Sequence, residues 1–365
     1  MSTGTPSSPF ISKLLEDPRV GIELSPALWE DTVHCLREEN LLGTLHHLAK
    51  KQGCLPSYNH YAQRHLVSMA TYAQRQAQQV FFESRLIKDR LATKKVTPVF
   101  LKGAAYTLSK SSNAQGRIYS DIDVLVRKDE IPVATAGLQM LGYVTAKLSD
   151  YDDHYYREWA HEIPPLFNLA RGTVIDLHHN LIPPVSGRAP AAEELFSQLR
   201  VHSNGFTTLK PSAMALHSII HLLVNDDLEN AYRDVVDLWL LCSEHDTPSF
   251  WSELVGLATT TGFERELSYA LQLVSFHFKN FEPRTEATSM VNRNNRFLCR
   301  YVLSPAISPS LDGSTGIWQR IAKFLAYARG HWLKMPLPIL IKHSCAKLWI
   351  GFRDNIFGKH QFDGE

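Results

Sequence analysis

Three aspartates stand out because their types and spacing suit a divalent cation. Asp121 and Asp123 flank Ile122 at the start of an apolar stretch typical of a β-strand, so the two-residue period places both carboxylates on one face of a sheet. Asp176 lies in a second apolar stretch, and antiparallel pairing would place it beside the first two. Carboxylates this close repel one another unless a cation is nearby. Three oxygen donors favour Mg²⁺ or Mn²⁺ over zinc.

A glycine turn upstream of these acids is suited to phosphate. Leu101 ends a short apolar strand, and Lys102, Gly103 and Ala104 lead into a helix that begins at about Ala105. A glycine lets the backbone come close to a phosphate, and a helix N-terminus favours an anion. The turn and the acids together predict two-metal phosphoryl chemistry, in which one ion holds a triphosphate and the other activates an attacking hydroxyl.

Two further polar residues lie close to these motifs in the sequence. Arg117 precedes Asp121 by four residues and can reach a phosphate oxygen or form a salt bridge with the acidic cluster, and Lys102 has the same two alternatives. His178 shares a strand face with Asp176. It can orient a ligand, accept a proton from an acceptor hydroxyl or hydrogen-bond to the aspartate.

The surrounding pattern predicts an α+β fold, with a small mixed-sheet core flanked by helical N-terminal and C-terminal blocks. Short apolar stretches end in turns between residues 95 and 210, and Arg171-Gly172 is typical of a hairpin turn. Helical spacing dominates on both sides of this core. The predicted segments are a disordered tail (1–9), a helical block (10–94), the core (95–210), a second helical block (211–303), a loop (304–316) and a basic helical segment (317–365).

Composition predicts a cytoplasmic protein. The formal net charge of +1 gives no global attraction to nucleic acid or anionic lipid. The five cysteines are scattered and odd in number, which is typical of reduced intracellular thiols. The N-terminus lacks the charged and apolar regions of a secretory signal, and no apolar run reaches the length of about 20 residues that spans a bilayer.

One segment departs from this balanced charge. Residues 313–353 contain no Asp or Glu but seven Lys or Arg, interleaved with aromatic residues. We expect either basic side chains that extend from a helical block to solvent or a surface that docks on an anionic membrane, which would make the protein peripheral. RNA binding through the same segment is a further alternative.

The ordered motifs resemble the uncharacterised nucleotidyltransferase family of bacteria, within the superfamily that includes DNA polymerase β. They are Leu101-Lys102-Gly103-Ala104-Ala105, Arg117 with Ser120-Asp121-Ile122-Asp123-Val124-Leu125-Val126, Gly142-Tyr143, and Ile175-Asp176-Leu177-His178. The resemblance covers roughly Trp29 to Leu241 and implies that Asp121, Asp123 and Asp176 are catalytic and bind metal. It also implies that Gly103 and its neighbours Lys102 and Ala104, with Arg117 and Ser120, bind the nucleotide. Many relatives have serine or a second glycine where this chain has Ala104.

The resemblance implies transfer of a nucleoside monophosphate from a nucleoside triphosphate to an unknown hydroxyl or phosphate acceptor. Pyrophosphate would leave. One alternative is a catalytically silent scaffold of the same fold that binds a nucleotide or a partner. Another is a metal-dependent phosphohydrolase of the HD type, suggested by His217, His221 and His245-Asp246, although these residues lack the usual HD order.

Overall fold

A mixed seven-stranded sheet lies between two groups of helices in the computed structural model, which describes residues 8–145, 154–156, 158–224, 228–291, 296–309, 316–345 and 349. This is the predicted α+β fold. The strands are β1 (Val99–Phe100), β2 (Ile122–Leu125), β3 (Val144–Thr145), β4 (Leu166–Asn168), β5 (Thr173–His178), β6 (Leu199–Val201) and β7 (Thr207–Leu209). Their order in the sheet is β3-β4-β5-β2-β1-β7-β6.

Helices precede, interrupt and follow the sheet. Before it come α1 (Ser8–Glu16), α2 (Pro26–Glu38), α3 (Leu42–Lys51) and α4 (His60–Ala92). Between strands lie α5 (Lys102–Ser109), α6 (Ile131–Gln139) and α7 (Ala192–Ser197). After it come α8 (Pro211–Val224), α9 (Ala231–Glu244), α10 (Pro248–Thr261), α11 (Glu264–His277) and α12 (Ile317–Lys334). Shorter helical turns include Thr285–Thr288 and Ser304–Ile307. Thus Ser8 and Pro9 of the predicted tail are helical, as is the start of the predicted loop at 304–316, whereas residues 1–7 and 310–315 lie outside the described residues.

The two strands that carry the aspartates run parallel, so the expectation of antiparallel pairing was wrong. Asp123 lies opposite Asp176 in the β2/β5 ladder. After β2 and α6, the chain forms two successive antiparallel pairs, β3/β4 and then β4/β5. Two reversals restore the original direction, which makes β5 parallel to β2. The predicted turn at Arg171-Gly172 joins β4 to β5, and Gly172 adopts a φ of 63° that a glycine tolerates without strain.

Both faces of the central strands β1 and β2 are covered, which explains why these strands are almost continuously apolar and buried. Val99 and Leu125 pack into the core shared with the C-terminal helices, whereas Phe100 and Val124 pack into a second core that includes residues of α4. Side chains alternate between faces along a strand, so Asp123 lies on the same face as Leu125. The acidic residues therefore face the C-terminal helices.

Candidate active site

The structure brings the three predicted acids together at one end of the β2/β5 pair. Asp121 comes immediately before β2, Asp123 lies within it, and Asp176 lies in register on β5. Asp123 is buried, while Asp121 and Asp176 are half-buried. The alternation of side chains along β2 puts Asp121 and Asp123 on one face, and the parallel register puts Asp176 opposite Asp123.

The loop that leads into β2 is fixed by contacts with the N-terminal helices. The side chain of Gln76 on α4 both donates to and accepts from the backbone of Tyr119, at 3.1 and 3.0 Å. Gly43 at the start of α3 packs directly on Gly116, and a Cβ atom added to Gly43 would lie 2.1 Å from the Gly116 carbonyl oxygen. Two glycines are therefore needed for this approach of backbone to backbone. The contacts hold the segment that contains Arg117.

Asp123 is neutralised by two side chains of the chain itself. Lys102 Nζ lies 2.8 Å and His178 Nε2 lies 3.0 Å from the same oxygen, Oδ1. Burial opposes ionisation, but Lys102 and His178 outweigh it and hold the pKa of Asp123 well below its usual value. The other ring nitrogen of His178 lies 3.1 Å from Glu162 Oε2. Burial also opposes the charged form of His178, yet Glu162 and Asp123 raise its pKa. The imidazole thus joins two carboxylates.

The other two acids lack such compensation. Oδ1 of Asp176 is buried and has no hydrogen-bond partner among the described residues. Burial, followed by the charges of Asp123 and Glu162, raises the pKa of Asp176 to about 7. Asp121 accepts a hydrogen bond from Ser120 Oγ at 3.0 Å, while burial and Asp123 raise its pKa. An unpartnered carboxylate oxygen beside two further carboxylates is the donor set that Mg²⁺ or Mn²⁺ binds, so these residues fit such an ion.

The acids are not drawn into a tight cluster. Among the described residues, one group of three His, Cys, Asp or Glu side chains has donor atoms that all lie within 4.8 Å of one another. It consists of His161, Glu162 and His178. Both nitrogens of His178 already contact carboxylates. We therefore interpret this group as part of the ion-pair chain that ends at Asp123, rather than as a separate metal site. The donor atoms of the three aspartates do not all lie within 4.8 Å of one another.

The predicted glycine turn begins α5. Lys102 is the first residue of the helix and has a positive φ of 43°, and its side chain is committed to Asp123. A Cβ atom on Gly103 would lie 3.1 Å from Arg117 Nε and 3.1 Å from the Tyr119 ring, so glycine allows this close packing. Ala104 is buried in the core on the α4 side of the sheet. Its side chain packs in the fold and does not line the cavity described next.

A first cavity of about 300 Å³ opens between Asp121, the glycine turn and helix α9. It is lined by Arg117 and Arg233, among other polar residues. The Arg117 guanidinium forms a buried ion pair with Asp237 and lies 5.4 Å from the centre of the Tyr106 ring. The salt bridge that the sequence allowed between Arg117 and the acidic cluster is thus made with Asp237 of α9 instead.

Arg233 is the less compensated of the two arginines. Its Nε is buried without a hydrogen-bond partner among the described residues, and its nearest ion-pair contact, with Asp234, is 4.0 Å long. Burial, followed by the charge of Arg117, lowers the pKa of Arg233 to about 10. A buried guanidinium with spare donors is a binding group for phosphate oxygens.

A second cavity of about 310 Å³ lies on the other side of the acids. Asp176, His161 and Glu162 form one part of its wall. Other parts of the wall are formed by aliphatic side chains, an aromatic ring and a lysine, namely Ala160, Leu181, Ile182, Pro183, Ile220, Val224, Tyr155 and Lys334. Three residues, Lys102, Asp121 and His221, line both cavities, so the acidic site is the partition between two chambers of similar size.

The histidines that suggested an HD-type hydrolase do not form a common site. His221 Nδ1 lies 3.1 Å from Asp234 Oδ2 across the α8/α9 contact, and His217 is buried. Asp246 instead accepts hydrogen bonds from Trp251 and Arg284, near the start of α10. The described residues thus provide no shared cluster for that chemistry.

The acids on neighbouring parallel strands, the glycine turn and the arginine-lined cavity are together typical of a protein that handles a polyphosphate. A family model described as "uncharacterised nucleotidyltransferase" matches residues 25–279, and the chain belongs to this family. The match confirms the family suggested by the motifs and supports a nucleotidyltransferase function in general. No curated protein and no solved structure gives a significant match.

Proposed function

We propose that the protein transfers a nucleoside monophosphate from a nucleoside triphosphate to a hydroxyl or phosphate group of an acceptor, with pyrophosphate as the leaving group. The observation that carries this proposal is the in-register pair Asp123 and Asp176, with an unpartnered carboxylate oxygen, in the wall between two cavities. A transfer reaction needs two substrates that meet at one point. The two cavities supply that arrangement.

Asp121, Asp123 and Asp176 would hold divalent cations. When bound, Mg²⁺ or Mn²⁺ would neutralise the triphosphate and lower the pKa of the acceptor hydroxyl. Lys102 and His178 already compensate Asp123, so the uncompensated charge resides mainly on the other two acids. This distribution supports binding of a cation between Asp121 and Asp176.

The first cavity is the better fit for the triphosphate. Both arginines have a buried Nε without a hydrogen-bond partner among the described residues. Arg117 is held by Asp237 and contributes charge from a fixed position, whereas Arg233 has only the 4.0 Å contact with Asp234. The N-terminal turn of α5, with Gly103 in the cavity wall, adds backbone N–H groups. The wall also carries Asp121, Asp123, Glu229, Asp234 and Asp237, of which Asp123 and Asp237 are paired with Lys102 and Arg117. Binding of a triphosphate here would therefore depend on divalent cations as well as on these positive groups.

The second cavity is the better fit for the acceptor. His161 lines it, and its Nδ1 is buried without a hydrogen-bond partner among the described residues. Burial, followed by the charges of His178 and Lys102, holds the pKa of His161 well below its usual value. A neutral imidazole in the same cavity wall as Asp176 can accept a hydrogen bond from the acceptor hydroxyl and orient it, although its lowered pKa makes it a weak proton acceptor.

A double-label experiment tests this function. The purified chain is incubated with Mg²⁺ and cell extract, in parallel with α-labelled and γ-labelled nucleoside triphosphates. We expect the α label in an acceptor and the γ label in pyrophosphate. Asp176→Asn should abolish labelling, whereas Asp129→Asn, which changes an exposed aspartate away from the cavities, should label as the wild type does.

Three results would contradict the proposal. Transfer of the γ label to an acceptor would indicate a kinase. Normal labelling by Asp176→Asn would remove the carboxylates from the chemistry. Binding of Mg²⁺ and nucleotide by the wild type, with no labelled product in any extract, would favour the catalytically silent scaffold.

A further inference from the structure

Helix α12 carries large apolar side chains on the side that faces away from the protein. Of the 22 exposed large hydrophobic side chains among the described residues, ten lie between Ile317 and Trp349. Phe324 is 67% and Trp332 is 62% exposed. Ile317, Ile321, Phe324 and Trp332 are spaced by four, three and eight residues, so they share one side of the helix. Trp318 and Leu325 widen this stripe.

The inward side of α12 is made of small residues. Ala322, Ala326 and Gly330 recur every four residues and are buried. Arg329 anchors the helix, because it donates to the Leu223 carbonyl oxygen at 2.5 Å and lies 3.7 Å from Glu266 Oε1. A helix that served only its own core would turn its large apolar groups inward. Helix α12 instead exposes these side chains, which is typical of a helix whose outer side contacts another apolar surface.

Basic residues flank the apolar stripe. Arg320 and Lys323 are exposed and lie on one flank of the stripe. Helix α12 itself contains no Asp or Glu that would offset these two charges. A surface of this kind is complementary to an apolar medium bordered by negative charge.

We propose that the outward side of α12 docks on an anionic lipid bilayer. Its apolar stripe would enter the headgroup region while the basic flank contacts anionic lipids. Phe297 and Tyr301 extend the patch, since Phe297 is 71% exposed and Trp318 Nε1 donates to the Tyr301 carbonyl oxygen at 3.0 Å. No helix of the described residues has the length and apolar content to cross a membrane.

Two other occupants fit the patch less well. In a dimer formed through this patch, the basic residues of the two copies would lie close together. Their mutual repulsion would oppose association. A single strand of RNA would stack on the aromatic rings, but it would leave aliphatic side chains such as Ile317, Ile321 and Leu325 uncovered. A bilayer covers both kinds of apolar side chain and carries the complementary charge.

Co-sedimentation of the full chain with vesicles tests the proposal. We expect binding to phosphatidylcholine vesicles that contain about 30% phosphatidylserine, no binding to phosphatidylcholine alone, and a fall of about tenfold between about 0.1 and about 0.5 M salt. Arg320→Gln with Lys323→Gln should weaken binding about 25-fold, at about fivefold per basic residue. Phe324→Ser with Trp332→Ser should weaken it about tenfold or more, because both side chains leave the interface.

Matched controls use exposed residues elsewhere. Leu169→Ser with Val201→Ser removes apolar side chains that are 86% and 72% exposed, and Lys50→Gln with Lys51→Gln removes two exposed charges of α3. Both control variants should bind vesicles as the wild type does. A wild type that stays in the supernatant at low salt would overturn the proposal, as would equal losses in the α12 and control variants. A dimer or an RNA complex that the α12 variants abolish, without vesicle binding, would identify a different occupant.

Discussion

Replacing Asp176 by asparagine should stabilise the protein in the absence of divalent cations, although it should abolish transfer. The pKa of this carboxyl is raised from its usual 3.8 to about 7. A shift of about three units corresponds to about 4 kcal/mol, and we expect about half of this because Asp176 is partly accessible to solvent. Asparagine keeps the shape and removes the charge.

The sign of this effect depends on pH. Since the folded-state pKa of Asp176 lies above the unfolded one, the folded state binds the extra proton between about pH 4 and about pH 7. The charged carboxylate therefore lowers the free energy of unfolding by its full amount above about pH 7. It has no such effect below about pH 4, where the carboxyl is protonated in both states. Urea unfolding in EDTA should give a free energy of unfolding about 2 kcal/mol higher for Asp176→Asn than for the wild type at about pH 8. The difference should be much smaller at about pH 4.5.

Asp123→Asn is the matched comparison and should behave in the opposite way. Its carboxylate is paired with Lys102 and His178, so its removal leaves the half-buried Lys102 without its partner and the buried His178 with Glu162 alone. Loss of one member of a buried ion pair costs about 3 kcal/mol or more. A lower midpoint for Asp176→Asn at pH 8 would refute the reasoning, and so would shifts of the same sign in both variants.

Three further predictions concern packing, titration and phosphate binding. Gly43→Ala should destabilise the fold by about 3 kcal/mol or more because its Cβ would meet the Gly116 carbonyl, whereas Gly256→Ala, with nothing within 4 Å, should stabilise α10 by about 0.5–1 kcal/mol in the same unfolding assay. Burial lowers the pKa of His277 to about 4, so stability should fall by up to about 3 kcal/mol between about pH 6.5 and 4, and His277→Gln should show a shallower fall. Arg233→Ala should weaken binding of pyrophosphate with Mg²⁺ about tenfold by calorimetry, while Arg284→Ala, which changes a surface ion pair with Asp246, should leave it unchanged.

The sequence was sufficient to predict which strands carry the acids, because the period of two and the apolar runs are local signals. It was not sufficient for the direction of β5, which depends on the two reversals at β3/β4 and β4/β5. The β6/β7 hairpin was not predicted either. Its strands are three residues long and include Arg200, Thr207 and Thr208, so they lack a strong apolar signal.

The polar partners were harder to predict than the acids. Helical spacing alone would pair Arg233 with Asp237, but Asp237 binds Arg117, which is 120 residues away in the sequence. Arg233 is left with unused donors for this reason. Glu162 had no motif to mark it, since only an isolated bridge to His178 brings it to the site. Both contacts arise from tertiary packing, which no local pattern encodes.

Because Lys102, Asp121 and His221 line both cavities, any compound formed across this wall has to extend into both chambers at once. The two linked halves of such a product would keep the contacts of both substrates. Once one half is bound, the other half would bind at a high effective concentration. A stable analogue that joins a nucleotide to an acceptor should therefore inhibit competitively against both substrates. If the chain transfers a nucleotide as proposed, these retained contacts would make release of the product a slow step of turnover.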